Sequence, residues 1–384
     1  MIQHSPGFGI YIHWPFCEAK CPYCDFNSHV RHEGVTQADY VEAYKREIAY
    51  FGGLTKGKKV TSIFFGGGTP SLMNPETLDA LVQEVRNTWD VDESAEISME
   101  ANPSSVEAER FEAYSASGIN RLSIGVQSLK DADLRFLGRL HDVEQAIQAI
   151  EIARAHFPRI SFDLIYARPG QSEKDWEDEL NLAIDYAADH LSLYQLTIEP
   201  DTPFQKLFDA GKLKPPDADH ARALYDITQK ICDARGLPAY EISNHAKAGS
   251  ESIHNLTYWR YGDYAGIGPG AHSRLTLDGE RTALAIETYP ETWLKEVEAK
   301  EHGIWNVEVL NEEQAGDEML LMGLRLKEGI SISRYETLSD RVIEEKQIED
   351  LVAHGMLEKL SDDIIRVSRE GWFVLDAVVA DLAM

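Results

Sequence analysis

The chain has 384 residues, 43% hydrophobic and 27% charged, which leaves room for two or three soluble domains and is too apolar for disorder. Its 65 acidic residues outnumber 37 basic ones for a formal net charge of −28, and a surface that negative repels phosphate backbones and anionic lipid, so no nucleic acid is expected as a partner. No apolar run approaches the ~18 residues of a membrane span.

In chain order, the opening MIQHSPGFGI lacks the basic and apolar regions of a leader. Four cysteines are too few to staple a chain this long, and a cytoplasmic location is expected. Apolar, β-branched runs predict strands at 9–14, 60–65, 96–101, 121–127, 160–166 and 191–198. Helix-like stretches lie between them, at 36–50, 75–89 and 173–186 among others, with Thr36 and Asn74 as N-cap candidates and Pro75 at a first helical position. Strand–helix alternation of this kind indicates parallel βαβ units. The sheet either opens out as a doubly wound fold or curls into a full or partial barrel, and in both cases ligands sit beyond the C-terminal strand ends.

After a Pro-containing stretch (212–219) a helix is expected near 220–235, and the Tyr/Gly-rich segment 240–272 reads as turns and short strands. Helices at 314–326, 333–338 and 346–354 followed by a hairpin at 364–373 resemble a winged helix. With 17 acidic and 8 basic residues over 311–384, that unit is expected to be a scaffold or interaction domain and not a DNA reader.

Cys17, Cys21 and Cys24 form a C-x3-C-x2-C cluster just after the first strand, while Cys232 stands alone on a helical stretch as a small buried hydrophobe. Three thiolates in one loop select zinc or an iron–sulfur cluster. Zinc would need a fourth ligand, for which His13 and His29 are the near candidates. A cubane held by three thiolates keeps one iron open.

This spacing, with Tyr23 between the last two cysteines, resembles the radical S-adenosylmethionine (SAM) superfamily. The resemblance implies an α/β fold with a partial parallel (β/α)6-type barrel and a [4Fe–4S] cluster on Cys17, Cys21 and Cys24. It also implies SAM chelated at the open iron, cleaved to a 5′-deoxyadenosyl radical by an electron that a donor protein supplies. Further strings agree at successive strand ends: Gly66-Gly67-Gly68-Thr69-Pro70, Glu100-Ala101-Asn102-Pro103, Gly125-Val126-Gln127-Ser128, Leu137-Gly138-Arg139, and Asp163 through Pro169-Gly170. Glycines there are expected to let backbone approach a ligand closely.

These strings are most similar to the branch that holds the oxygen-independent coproporphyrinogen III dehydrogenases and the HemW haem chaperones. By that resemblance Tyr11, Gly67, Gly68, Thr69, Glu100, Gln127, Arg139 and Asp163 contact SAM. The dehydrogenases carry a fourth cysteine two residues after the third, where this chain has Phe26, and an N-terminal extension, where only ten residues precede Tyr11. Ile253-His254-Asn255-Leu256-Thr257-Tyr258-Trp259 instead matches the chaperones' H-N-x-x-Y-W signature. A neutral imidazole at His254 is a competent haem-iron ligand, and His245 and His272 flank it as competitors. The expected organisation is a radical SAM core (1–235), a connecting segment with the H-N-x-x-Y-W motif (236–310) and the winged-helix-like domain (311–384). The expected activity is delivery of haem to acceptor haemoproteins such as membrane-bound respiratory cytochromes. A dehydrogenase, another radical SAM enzyme and a structural zinc module are the alternatives.

Overall fold

The computed structural model describes residues 6–32, 34–104, 108–187 and 189–383. Residues 1–5, on which the reading of the N-terminus partly rests, lie outside the described residues. One eleven-stranded sheet dominates. Its first six strands are β1 (Phe8–Trp14), β2 (Lys59–Gly67), β3 (Asp90–Ala101), β4 (Arg121–Gln127), β5 (Arg159–Tyr166) and β6 (His190–Gln195). They pair in parallel and in chain order, as short right-handed crossovers require.

The short β7 (Asn244–Ala246) runs antiparallel outside β6. On the other side β8 (Asp263–Ile267) pairs in parallel with β1, and β9 (His272–Leu277), β10 (Glu280–Ile286) and β11 (Ile304–Val309) continue antiparallel to the edge. With β7 and β11 as its edges the sheet is not closed, so it is a partial barrel.

Helices form where the caps and apolar spacing demand them. Asp142 with Gln145 and Ser172 with Asp175 make reciprocal capping boxes, each satisfying two orphan donors. Thr36 and Asn74 do occupy N-cap positions, yet neither side chain makes the cap bond. The Asn74 backbone N–H donates to Gln37 Oε1 at 2.8 Å, tying one helix start to the other. Among the described residues no helix is long and apolar enough to cross a membrane.

Two stretches differ from expectation. The segment 240–272 contains a helix, Ile253–Trp259, capped by Ser252, and all of β8. Its Tyr and Gly content reads as turns because packing against the sheet, invisible locally, stabilises so short a helix. At the C-terminus the hairpin is Leu357–Lys359 with Ile364–Val367, and a helix, Leu375–Leu382, follows in place of a longer second strand. Leu375, Val378 and Leu382 are its buried residues, a helical spacing. The helices Glu312–Gly323, Ile332–Ser339 and Glu345–Ala353 with a three-stranded sheet complete a winged-helix-like unit, whose apolar core centres on Leu320, Leu324 and Ile365.

Candidate functional site

Parallel strands aim their C-terminal ends at one rim, and the cysteine loop lies on that rim. Pairing of Phe16–Cys17 with His29–Val30 closes the loop's base. Cys17, Cys21 and Cys24 line a cavity of about 450 Å³, together with Gly67, Gly68, Thr69, Glu100, Gln127, Arg139 and Asp163. Thr69 Oγ1 donates to Cys17 Sγ at 3.4 Å, and Arg139 Nη1 to Cys21 Sγ at 3.5 Å. Burial pushes the Cys24 thiol up to about 11 and raises Cys17 as well, a cost that bound iron reverses because its charge favours thiolate.

The cavity is short of hydrogen-bond donors. Glu100 accepts one bond, from the Gly67 N–H at 3.2 Å, and has no cationic partner among the described residues. Burial and the neighbouring Asp163 push it up to about 8, and burial pushes Asp163 up to about 6 against the pull of the Ser192 and Ser123 hydroxyls. Gln127 Oε1 and Arg139 Nε are buried without partners. Gln127 ends β4 in a left-handed conformation (φ 70°), a strain that a non-glycine residue carries only where the surroundings impose it. Two buried carboxyls without a cationic partner among the described residues, an unpartnered side-chain carbonyl and a guanidinium with an unpartnered Nε match a ligand bearing an ammonium, a carboxylate and hydroxyls.

The glycine run is also required by its protein neighbours. A Cβ on Gly66 would lie 2.9 Å from the Tyr11 and Phe64 rings, and one on Gly67 2.7 Å from the His13 ring, with φ at +112°. A Cβ on Gly68 would meet the Phe16 carbonyl oxygen at 2.8 Å. The glycines let β2 end against β1 and the cysteine loop, so they shape the cavity through packing. Cys232 is fully buried in the helix Ala218–Ala234, away from this site.

Tyr11 faces a second cavity, of about 560 Å³, that shares Phe26, Gly67, Glu100, Ser123, Asp163 and Tyr194 with the first. His254 belongs to this one. Its ring is stacked on Phe64 (centroids 5.0 Å apart, 19° between planes) and meets Tyr258 edge-on at 5.8 Å. Ser62 Oγ lies 2.9 Å from its Nδ1, which leaves Nε2 as the free ring nitrogen among the described contacts. Burial pulls the imidazole down to about 4, so it is neutral at physiological pH. Tyr258 donates to Asn255 Oδ1 at 2.8 Å, and Trp259 stacks under the Arg325 guanidinium at 4.4 Å.

The helix Ile253–Trp259 is fastened by Glu96, which sequence inspection had not singled out. Its buried carboxylate accepts from the His254 N–H at 3.1 Å and from Ser252 Oγ at 3.2 Å, and pairs with Arg159 at 2.8 Å and Arg121 at 3.8 Å. No local signal marks it, because its partners lie 25 to 158 positions away along the chain. Of the two flanking histidines, His272 lines the cavity, whereas His245 is buried in β7 and does not.

The proposed fourth zinc ligands are engaged elsewhere. His13 is hydrogen-bonded to the Tyr11 hydroxyl and the Asn27 carbonyl, both at 2.9 Å, and His29 to Asn27 and the Thr288 carbonyl. Among the described residues no three His, Cys, Asp or Glu side chains gather as around one ion. In a cubane each thiolate binds a different iron, so three thiols spread around one cavity suit a cluster better than zinc.

Residues 11–183 match the radical SAM superfamily, and residues 310–374 match the HemN C-terminal domain. The chain is 38% identical to the mitochondrial radical S-adenosyl methionine domain-containing protein 1 of Mus musculus, over 97% of this chain and 86% of that protein. It is 37% identical to the heme chaperone HemW of Escherichia coli (strain K12), covering 93% of each. Among solved structures, the coproporphyrinogen III oxidase HemN of Escherichia coli superposes with a TM-score of 0.81 over 100% of this chain and 92% of its own, at 21% identity, which is a likeness of fold.

Proposed function

The chain belongs to the radical SAM superfamily and, within it, to the HemW family, and on that premise we propose that it is a haem chaperone. Membership implies a [4Fe–4S] cluster and SAM, which together supply one-electron chemistry when bound. Cys17, Cys21 and Cys24 are the ligands this chain offers to the cluster. Glu100, Asp163, Gln127 and Arg139 are the groups it offers to SAM, and their unmet donors and acceptors fit the ammonium, carboxylate and hydroxyls of that molecule. Gly67, Gly68 and Thr69 shape the same wall, and Tyr11 serves from the adjoining cavity.

The observation that carries the haem assignment is His254. It presents one free nitrogen of a neutral imidazole in a cavity of about 560 Å³ walled by Tyr11, Phe64, Tyr258, Trp259 and Tyr264. That volume falls in the usual range for small-molecule sites, about 300–1,000 Å³. Flat aromatic faces favour a porphyrin, and a neutral imidazole favours its iron. The protein works in the cytoplasm, takes an electron from a donor protein, and passes haem to acceptors such as membrane-bound respiratory cytochromes.

The test is a titration of ferric haem into cluster-loaded protein beside an anaerobic coproporphyrinogen III oxidation assay. One-to-one haem binding, a changed Soret band in His254→Ala and no dehydrogenase turnover are expected. Robust turnover, or no stoichiometric haem, overturns the proposal.

A further inference from the structure

We infer that His272 is the second axial ligand of the haem iron, an exchangeable imidazole that shares the cavity with His254; this rests on the haem-chaperone reading above. Among the described residues four histidines line that cavity: His13, His190, His254 and His272. Both ring nitrogens of His13 are engaged, by the Tyr11 hydroxyl and the Asn27 carbonyl. His190 uses Nε2 on the Tyr240 hydroxyl at 3.0 Å and keeps only a buried Nδ1. His254 uses Nδ1 on Ser62 and keeps Nε2. His272 makes no side-chain hydrogen bond among the described residues and is exposed. Of the four, His272 is the exposed imidazole and the one whose side chain is not already hydrogen-bonded, so it is the one that can join His254 at the iron.

Their anchors are within reach of one metal. A Cβ on Gly9 would touch the His254 ring at 3.2 Å, and one on Gly266 would strike the His272 carbonyl oxygen at 2.0 Å. Gly266 stands in register with Tyr11, two residues beyond Gly9 along β1 and one strand over. At about 3.3 Å per residue and about 4.8 Å per strand the two sites are offset by on the order of 8 Å. The His254 ring and the His272 backbone are thus about 8 Å apart, a gap that one histidine side chain and two metal–nitrogen bonds of about 2.0 Å can span.

The two ends of that pair differ in the way a carrier needs. His254 is 3% exposed, with its tautomer set by Ser62 and its helix set by Glu96. His272 is exposed, and the cavity it lines is also lined by Asn27, whose side chain packs against Gly270, and by Phe26, which is 56% exposed. Phe26 occupies the place of the dehydrogenases' fourth cysteine and gives the rim an apolar face for the porphyrin edge. Handover is then a ligand exchange at iron: the His272–iron bond breaks as an acceptor's donor atom forms one, with no change of oxidation state. The His254–iron bond goes last.

The test adds ferric haem to the cluster-loaded full chain and reads spin state by electron paramagnetic resonance and the visible bands. Wild type should be six-coordinate and low-spin. His272→Ala and His272→Gln should both keep one-to-one stoichiometry but turn five-coordinate and high-spin, and added imidazole should restore the low-spin spectrum of the alanine variant. His245→Ala, altered outside the cavity, should match wild type. A high-spin wild type, or low-spin His272 variants without imidazole, overturns the second-ligand inference and leaves the chaperone proposal standing. Wild type that takes up no stoichiometric haem overturns the chaperone proposal itself, and the inference with it.

Discussion

The two adjoining cavities share a wall and differ in how they are built. The thiol-bearing cavity is assembled from C-terminal strand ends, so each of its groups sits in a short motif next to a strand: Cys17 to Cys24 after β1, Gly67 to Thr69 after β2, Glu100 in β3, Gln127 in β4, Asp163 in β5. The imidazole-bearing cavity is lined from the interior of the strands, through Tyr11, Phe64, Ser123 and Ser161, and capped by a helix that arrives some 240 residues after β1 begins. One carries the thiols and a guanidinium; the other is walled by aromatic rings and holds neutral histidines. The difference teaches that strand ends alone build the first cavity, whereas the second needs a helix laid over the sheet from a distant part of the chain.

The sharpest way to separate the two cavities is to destroy one. Replacing Cys17, Cys21 or Cys24 by Ser should strip most of the iron, while Cys232→Ser, buried in its helix, should retain it; iron and sulfide analysis after anaerobic purification reads this. Haem binding at His254 should survive the loss. If haem binding vanishes with the cluster, the two cavities form a single site.

Breaking the other end is expected to cost stability. Glu96→Ala leaves Arg121, 3% exposed, without its carboxylate and frees the His254 backbone N–H. Removing one member of a buried ion pair typically costs about 3–5 kcal/mol. The urea midpoint should fall accordingly and the haem spectrum should change, with iron content of the purified protein unaltered. Glu96→Gln, which keeps an acceptor, should lose less. A midpoint unchanged in Glu96→Ala would show that the helix is held by packing alone.

The smallest effect is a pH dependence that arises on the wall the two cavities share. Free protein holds a proton on Glu100 up to about pH 8 and on Asp163 up to about pH 6. An ammonium-bearing ligand favours the ionised carboxyls, so SAM binding should release protons and its affinity should rise from pH 6 to 8, by at most about tenfold per unit for one proton. Without ligand the sign for stability is the reverse. Both carboxyls are raised above their unfolded values, so their contribution is greatest below about pH 4 and falls as pH rises to about 8. Calorimetry in buffers of different ionisation enthalpy checks the first, and Glu100→Gln should flatten both.

These contrasts also explain what could be read in advance. The positions of strands β1 to β6, the helix Glu173–Tyr186 and the group of three thiols were legible because each rests on a local pattern: apolar periodicity over a few residues, three thiols within one loop. The helix carrying His254 read as turns, since seven residues cannot hold a helix without the sheet beneath them. The glycines at the end of β2 were legible as necessary, but the packing that also requires them was not, because the Phe16 carbonyl that excludes a side chain at Gly68 belongs to another strand's exit.

By itself, then, the sequence determined the family resemblance, the parallel strand–helix units, the C-x3-C-x2-C thiol motif and the histidine motif, all of which are local patterns of residue type and spacing. Only the tertiary structure decided that the sheet stays open, that Glu96 fastens the motif's helix across the barrel, and that His272 and not His245 shares a cavity with His254. The physical reason is the same in each case. Burial, charge pairing and shared cavities are set by residues brought together from distant parts of the chain, and their strength depends on which groups water can no longer reach.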